Sequence, residues 1–205
     1  IVDRPPLKLP GGARVAVWTI VKAEEWSIER PMPRMVLSPP QGQPLLPDLP
    51  NWAWHEYGMR VGYWRFHEVL EKFGIRATLA INGSVCKSYP RVAEAALKAG
   101  WEFMGHGYIQ RPMHHLENQK QQIFDAVEAI RAFTGKKPRG WESPGVTEAY
   151  DTIDSLAEDL RAVNPHLVYL SAPQENADAL HEASRAIARL PGLAGVILMD
   201  KMPSR

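Results

Sequence analysis

Apolar residues along the chain fall into two alternating rhythms. Short unbroken runs with β-branched residues, such as "RVAVWTIV" (14–21), alternate with stretches where apolar residues recur every three or four positions. Runs of the first kind predict buried strands, and those of the second predict amphipathic helices. The first helix is predicted over 60–74, where Val61, Trp64, Phe66, Val69, Leu70 and Phe73 share the spacing and Gly74 ends it. Further strands are predicted over 75–81, 101–105, 139–143, 166–171 and 195–200. Helices are predicted over 89–100, 116–135, 147–163 and 175–190. The connections are too long for hairpins, so the strands run parallel through helical crossovers, giving an α/β sheet or an incomplete barrel. One segment breaks the rhythm. "RPMPRMVLSPPQGQPLLPDLPNW" (30–52) carries too many prolines for a helix or a central strand, and a loop so long is usually functional.

Composition narrows the function classes. The chain has 205 residues, 45% of them apolar, enough for one substantial core. Basic and acidic residues nearly cancel, at 24 against 23, so no broad field draws nucleic acid or anionic lipid. No apolar run approaches the roughly 20 residues of a membrane span. Cys86 is the sole cysteine, which rules out an intrachain disulfide framework and favours a cytoplasmic setting. It reads as a buried structural thiol. The aromatic segment "NWAWHEYGMRVGYW" (51–64) reads equally as a substrate wall, with Trp54 and Arg60 on the ligand, or as a loop packed over the core with Glu56 paired to Arg60. Its exposed aromatics also suggest a homo-oligomer.

Ligands of parallel α/β folds sit at the carboxyl ends of strands. Here those ends deliver Lys22, Glu24 and Glu25, then Asn82, His106, and Trp141 with Glu142 and Ser143. Acids, an amide and a histidine thus converge on one rim. His106, between Gly105 and Gly107, suits a general acid or base or a metal ligand. Glu24 and Glu25 are adjacent in an extended stretch, so at most one faces the rim. A carboxylate beside His106 would raise its basicity or act as the base itself. His114 and His115 follow Pro112 and could cap, face solvent or bind metal. An HxxxH pair with His106 is absent because position 110 is Gln.

The blocks "RVAVWTIVKAEEWS", "HEYGMRVGYWRFHEVLEKFGIRATLAINGSV", "YPRVAEAALKAGWEFMGHGY" and "AIRAFTGKKPRGWESPG" together resemble the polysaccharide deacetylase superfamily. They are most similar to its cofactor-independent, allantoinase-like branch, over about residues 8–160. The resemblance implies a single domain over 1–205 with a distorted or incomplete (β/α) barrel that hydrolyses a non-peptide C–N bond, with 159–205 divergent from the expected continuation. It further implies Glu24, Glu25, His106 and Glu142 as catalytic residues. Trp54, Arg60, Asn82, Tyr108 and Trp141 are the expected substrate contacts. Deacetylases of the superfamily hold one divalent metal, such as zinc, with an Asp and two His. Here Glu24-Glu25 matches the usual Asp-Asp pair and Gln110 replaces the second histidine, so no metal is expected. Were one bound, His106, His114 and His115 would hold it. The expected substrate is a small amide or ureide. The alternatives are a metal-dependent sugar or peptidoglycan deacetylase and a catalytically silent binding or assembly protein.

Overall fold

The computed structural model describes residues 10–13, 15, 17–39, 42–160, 167–172 and 195–200. Strands β1 (Ile20–Ala23), β2 (Thr78–Ile81) and β3 (Glu102–Gly105) form a parallel sheet in that order. Ile20 lies opposite Thr78, and Thr78 opposite Glu102. Two more strands, β4 (Leu167–Ala172) and β5 (Gly195–Asp200), pair in parallel as a second sheet. The helix predicted over 175–190 lies outside the described residues. No helix among the described residues is long and apolar enough to cross a membrane.

The first strand starts later than its apolar run suggests. Its partner β2 begins at Thr78, opposite Ile20, and the last backbone bond upstream among the described residues is Thr78 N–H to Thr19 O at 2.9 Å. Val15 and Val17 are exposed, and the upstream side-chain contact is the Trp18 indole donating to Thr78 Oγ1 at 2.8 Å. The strand predicted over 139–143 shrinks to one bridge, Trp141 to Gly105. Pro138 and Pro144 flank it and lack the N–H groups that would extend the ladder.

The proline-rich segment ends earlier than expected, in helix α1 (Leu49–Tyr57). Asp48 caps it by accepting from Asn51 N–H, and Pro50 sits in the first turn, where no donor is needed. Buried Asn51 also pins the segment. Its Oδ1 accepts from the backbone of Val36 and Leu37, and its amide donates to Leu37 O.

A wide turn at Gly58–Gly62, with i→i+5 bonding, joins α1 to α2 (Tyr63–Lys72). Such a turn adds a residue and rotates the helix phase. Met59, Tyr63 and Leu70 face the core, while Phe66, Val69 and Phe73 of the expected buried stripe are exposed. After α3 (Val85–Ser88), α4 (Pro90–Lys98) adds Val92, Ala93 and Ala96 to the same core, against Leu79, Ile81 and Phe103. A second cluster joins Ile123, Ala126 and Val127 of α5 (Gln119–Thr134) to Met113, Trp141 and Leu156, the last from α6 (Thr152–Leu160). Burial pushes the Cys86 thiol up to about 11, so it stays protonated at neutral pH, as a structural thiol would.

The two clusters are separated by a close approach. A Cβ on Gly105 would fall 2.5 Å from the Trp141 ring, and that ring is anchored by its N–H donating to Ser143 Oγ at 3.1 Å. Gly105→Ala must displace the ring, an overpacking that costs roughly 1–3 kcal/mol. The expected outcome is a lower urea midpoint with an unchanged slope. A wild-type midpoint would contradict the packing.

Candidate active site

Strand alternation sorts the side chains at the sheet's carboxyl end. Val21 and Ala23 of β1 pack into the helix-side core, so Lys22, and Glu24 just beyond the strand, fall on the opposite side. His106 follows β3 and is wholly buried. Its Nδ1 lies 2.6 Å from Glu142 O, an oxygen that can only accept, so Nδ1 carries the hydrogen. Proton exchange is left to Nε2, which has no hydrogen-bond partner and sits 3.4 Å from Glu24 Oε1. Gly107 makes the turn behind it, with a φ of +74° and Pro144 so close that a Cβ would fall 2.7 Å from its ring.

Glu24 is held from several directions. Its Oε2 accepts from the Trp26 indole at 2.8 Å, and its backbone O lies 2.6 Å from His55 Nε2. The His55 ring stacks on Trp26 with centroids 5.0 Å apart. Burial would raise the Glu24 carboxyl. The close approach of His106, the hydrogen bond from Trp26 and the charges of His106 and Lys22 outweigh that and hold it below its ordinary value. Glu142 is buried and paired with Lys22, so its carboxylate is occupied while its carbonyl orients His106.

A second glutamate–histidine pair backs the first. Glu56 is buried and accepts from Arg60 at 2.6 Å and from the Tyr89 hydroxyl. Its Oε1 stands 3.7 Å from His55 Nδ1, another buried ring nitrogen with no hydrogen-bond partner. Burial raises the Glu56 carboxyl, but Tyr89, Arg60 and His55 together bring it below its ordinary value.

The structure separates the expected residues. Glu24 and His106 meet. Glu25 does not join them; its Oε2 accepts from Ser88 Oγ at 2.7 Å, on the other side of the strand. Asn82 has spent its hydrogen bonds on the scaffold, accepting from Glu25 N and donating to His106 O and Gln110 Oε1. Trp141 is buried against Gly105, and Tyr108 packs on the second core cluster. Arg60 is exposed and tied to Glu56, the pairing expected of a segment packed over the core, but 51–64 is helical and not a loop. Trp54 is half exposed, 6.2 Å from Trp26 between ring centroids. His55 and Trp26 were not among the expected site residues, and Lys22 was placed on the rim without a role. Nothing local points to His55.

The metal expected of deacetylases does not fit this residue set. Among the described residues no three His, Cys, Asp or Glu groups converge on one point. Gln110 stands where a second histidine would, with its Oε1 turned to Asn82. His114 and His115 stack on each other, and His114 lines a separate cavity of about 220 Å³ beside the start of α5. The set His106, His114 and His115 is therefore not assembled. The turn at Gly107 and the proline at 112 carry the chain away from the sheet before it reaches them.

A family profile described as polysaccharide deacetylase matches residues 54–162. Among solved structures, a probable polysaccharide deacetylase of Pseudomonas aeruginosa PAO1 is 22% identical, with a TM-score of 0.69. PuuE allantoinase is 23% identical, also with a TM-score of 0.69. Each alignment covers 82% of this chain but 58% of the other, so the chain spans less than three-fifths of either structure. At these identities the likeness establishes the fold, a distorted (β/α) barrel present in part. No curated protein matches the chain.

Both depressed carboxyls link stability to pH. A group whose folded pKa lies below its ordinary 4.5 adds stability that is full above that value and is lost as pH falls through the folded value. Urea unfolding between pH 7 and pH 3 is expected to show the wild type losing stability most steeply below about 4.5. The variants Glu24→Gln and Glu56→Gln should be less stable at pH 7 and converge on it at pH 3. Parallel curves for all three proteins would overturn the assignment.

Proposed function

Because the chain belongs to the polysaccharide deacetylase family, we propose that it hydrolyses a carbon–nitrogen bond of a small amide or ureide at the Glu24–His106 pair. One observation carries this reading. His106 has one nitrogen fixed on Glu142 O and the other bare, 3.4 Å from the low-pKa Glu24 carboxylate. A proton arriving at Nε2 would be held by that carboxylate, which makes the pair a base for water and then an acid for the leaving nitrogen.

The steps balance simply. A water oxygen bonds to the amide carbon, the C=O π pair moves onto oxygen, and the water proton enters the pair. When the tetrahedral species collapses the C–N bond breaks, and the same proton goes to nitrogen. A carboxylic acid and an amine are the products, and the acid then gives the second water proton to solvent. Trp26 and His55 keep Glu24 in place, and Trp54 offers an aromatic surface beside them. A small planar ureide suits this site better than a metal-activated sugar amide, since the three-ligand set is not assembled. The shared fold with an allantoinase supports the same preference.

The test is a panel of hydantoins, linear ureides and N-acetyl sugars assayed with the purified chain. Wild-type turnover of a ureide or hydantoin is expected. His106→Asn and Glu24→Gln should each lower kcat by about 100-fold or more while circular dichroism stays native. No turnover of any panel member, or full turnover by His106→Asn, would sink the reading.

A further inference from the structure

Lys22 is the charged residue whose place this chemistry has not yet used. It shares a strand face with Glu24, two residues on, and faces away from the helix-side core that takes Val21 and Ala23. Its ammonium reaches across the strand ends to Glu142, a residue 120 positions later in the chain. The pair is asymmetric: the Glu142 side chain is 8% exposed and that of Lys22 is 44% exposed. The anion is thus sunk into the protein and the cation is turned toward solvent. An ammonium has three donors in a fan, and Glu142 Oε1 takes one of them. Its charge is the smallest of the influences that hold the Glu24 carboxyl below its ordinary value.

We propose that Lys22 is the electrophile of this site, binding the carbonyl oxygen of the scissile amide and stabilising the oxyanion formed there. The assignment rests on the hydrolysis reading for the identity of the reaction. A hydrolytic site needs fixed positive charge where the oxyanion develops, and a divalent metal or a set of donors serves that need. Among the described residues the ligands for a metal are not gathered here, since Gln110 occupies the second histidine's place and faces Asn82. Lys22 supplies the charge from the chain itself.

Its part in the reaction moves no proton. As the water oxygen bonds to carbon, the displaced π pair settles on the carbonyl oxygen against the Nζ–H donors. As the C–N bond breaks the pair returns to form the C=O of the carboxylic acid, which later ionises to solvent, and Lys22 keeps all its hydrogens. Glu142 acts as a positioning residue, anchoring the ammonium with its carboxylate and His106 with its carbonyl. One residue thereby sets the spacing between acid–base group and electrophile.

Oxyanion recognition can be separated from turnover with a tetrahedral anion and a neutral planar amide as probes. Methylphosphonate and acetamide are titrated by calorimetry into the wild type, Lys22→Met and Lys22→Arg, with circular dichroism as the check on folding. The wild type is expected to bind methylphosphonate more tightly than acetamide. Lys22→Met should lose about ten-fold or more of the phosphonate affinity and much less of the acetamide affinity, and Lys22→Arg should keep part of it. Equal phosphonate binding by wild type and Lys22→Met overturns the proposal, as does a wild type that does not bind methylphosphonate. Wild-type kcat in Lys22→Met on a panel substrate overturns it too. Lys22-dependent phosphonate binding in a wild type that turns over no panel substrate upholds it and overturns the hydrolysis reading alone.

Discussion

Asn82 is the knot on which the site depends. It sits wholly buried at the end of the central strand, and its amide is shared between both neighbouring strand exits. Its oxygen accepts from Glu25 N at 2.9 Å on one side, and its NH2 donates to His106 O on the other. A buried amide is costly unless satisfied, so these partners fix the three chain segments relative to one another. Without that tie the exits of β1 and β3 would be free to diverge, and the Glu24–His106 distance would have no reason to persist.

Around that knot the charges are arranged in two layers. Glu24 with His106 stands at the sheet's end, and Glu56 with His55 stands behind, joined to it through Trp26 and the Glu24 backbone. Each carboxylate gathers donors that outweigh the cost of its burial. The outer pair is open to chemistry because one nitrogen of His106 is unclaimed. The inner pair is closed in by Arg60 and Tyr89 and serves as support.

Much of this frame was legible in the sequence. Asn82 and His106 follow directly from runs whose period and bounding glycines mark strand ends, and Glu24 follows from the rule that one of two adjacent acids faces the rim. The alternation of β1 sends Glu24 to the side of Lys22, and Glu25 is left to accept from Ser88, 63 residues away, a partner no local pattern reveals. The buried face of α2 differs from the expected one because Phe66, Val69 and Phe73 share helical spacing as well as Tyr63 and Leu70 do, and spacing alone does not say which face turns inward. Asn82 and Trp141 looked like ligand contacts because strand-end polar and aromatic residues often are. Their hydrogen bonds and close packing turn inward instead. His114 and His115 show the opposite error, since nearness in sequence to His106 brought no nearness in space.

The two imidazoles share a feature with evolutionary weight. His106 is oriented by the carbonyl of Glu142 and His55 by the carbonyl of Glu24. Both acceptors are main-chain atoms, which every amino acid provides. Replacing either glutamate would change the local charge and leave each acceptor where it is. The tautomers are thus inherited with the path of the backbone, and the side chains at 24 and 142 can drift toward new chemistry without first losing the histidines' alignment.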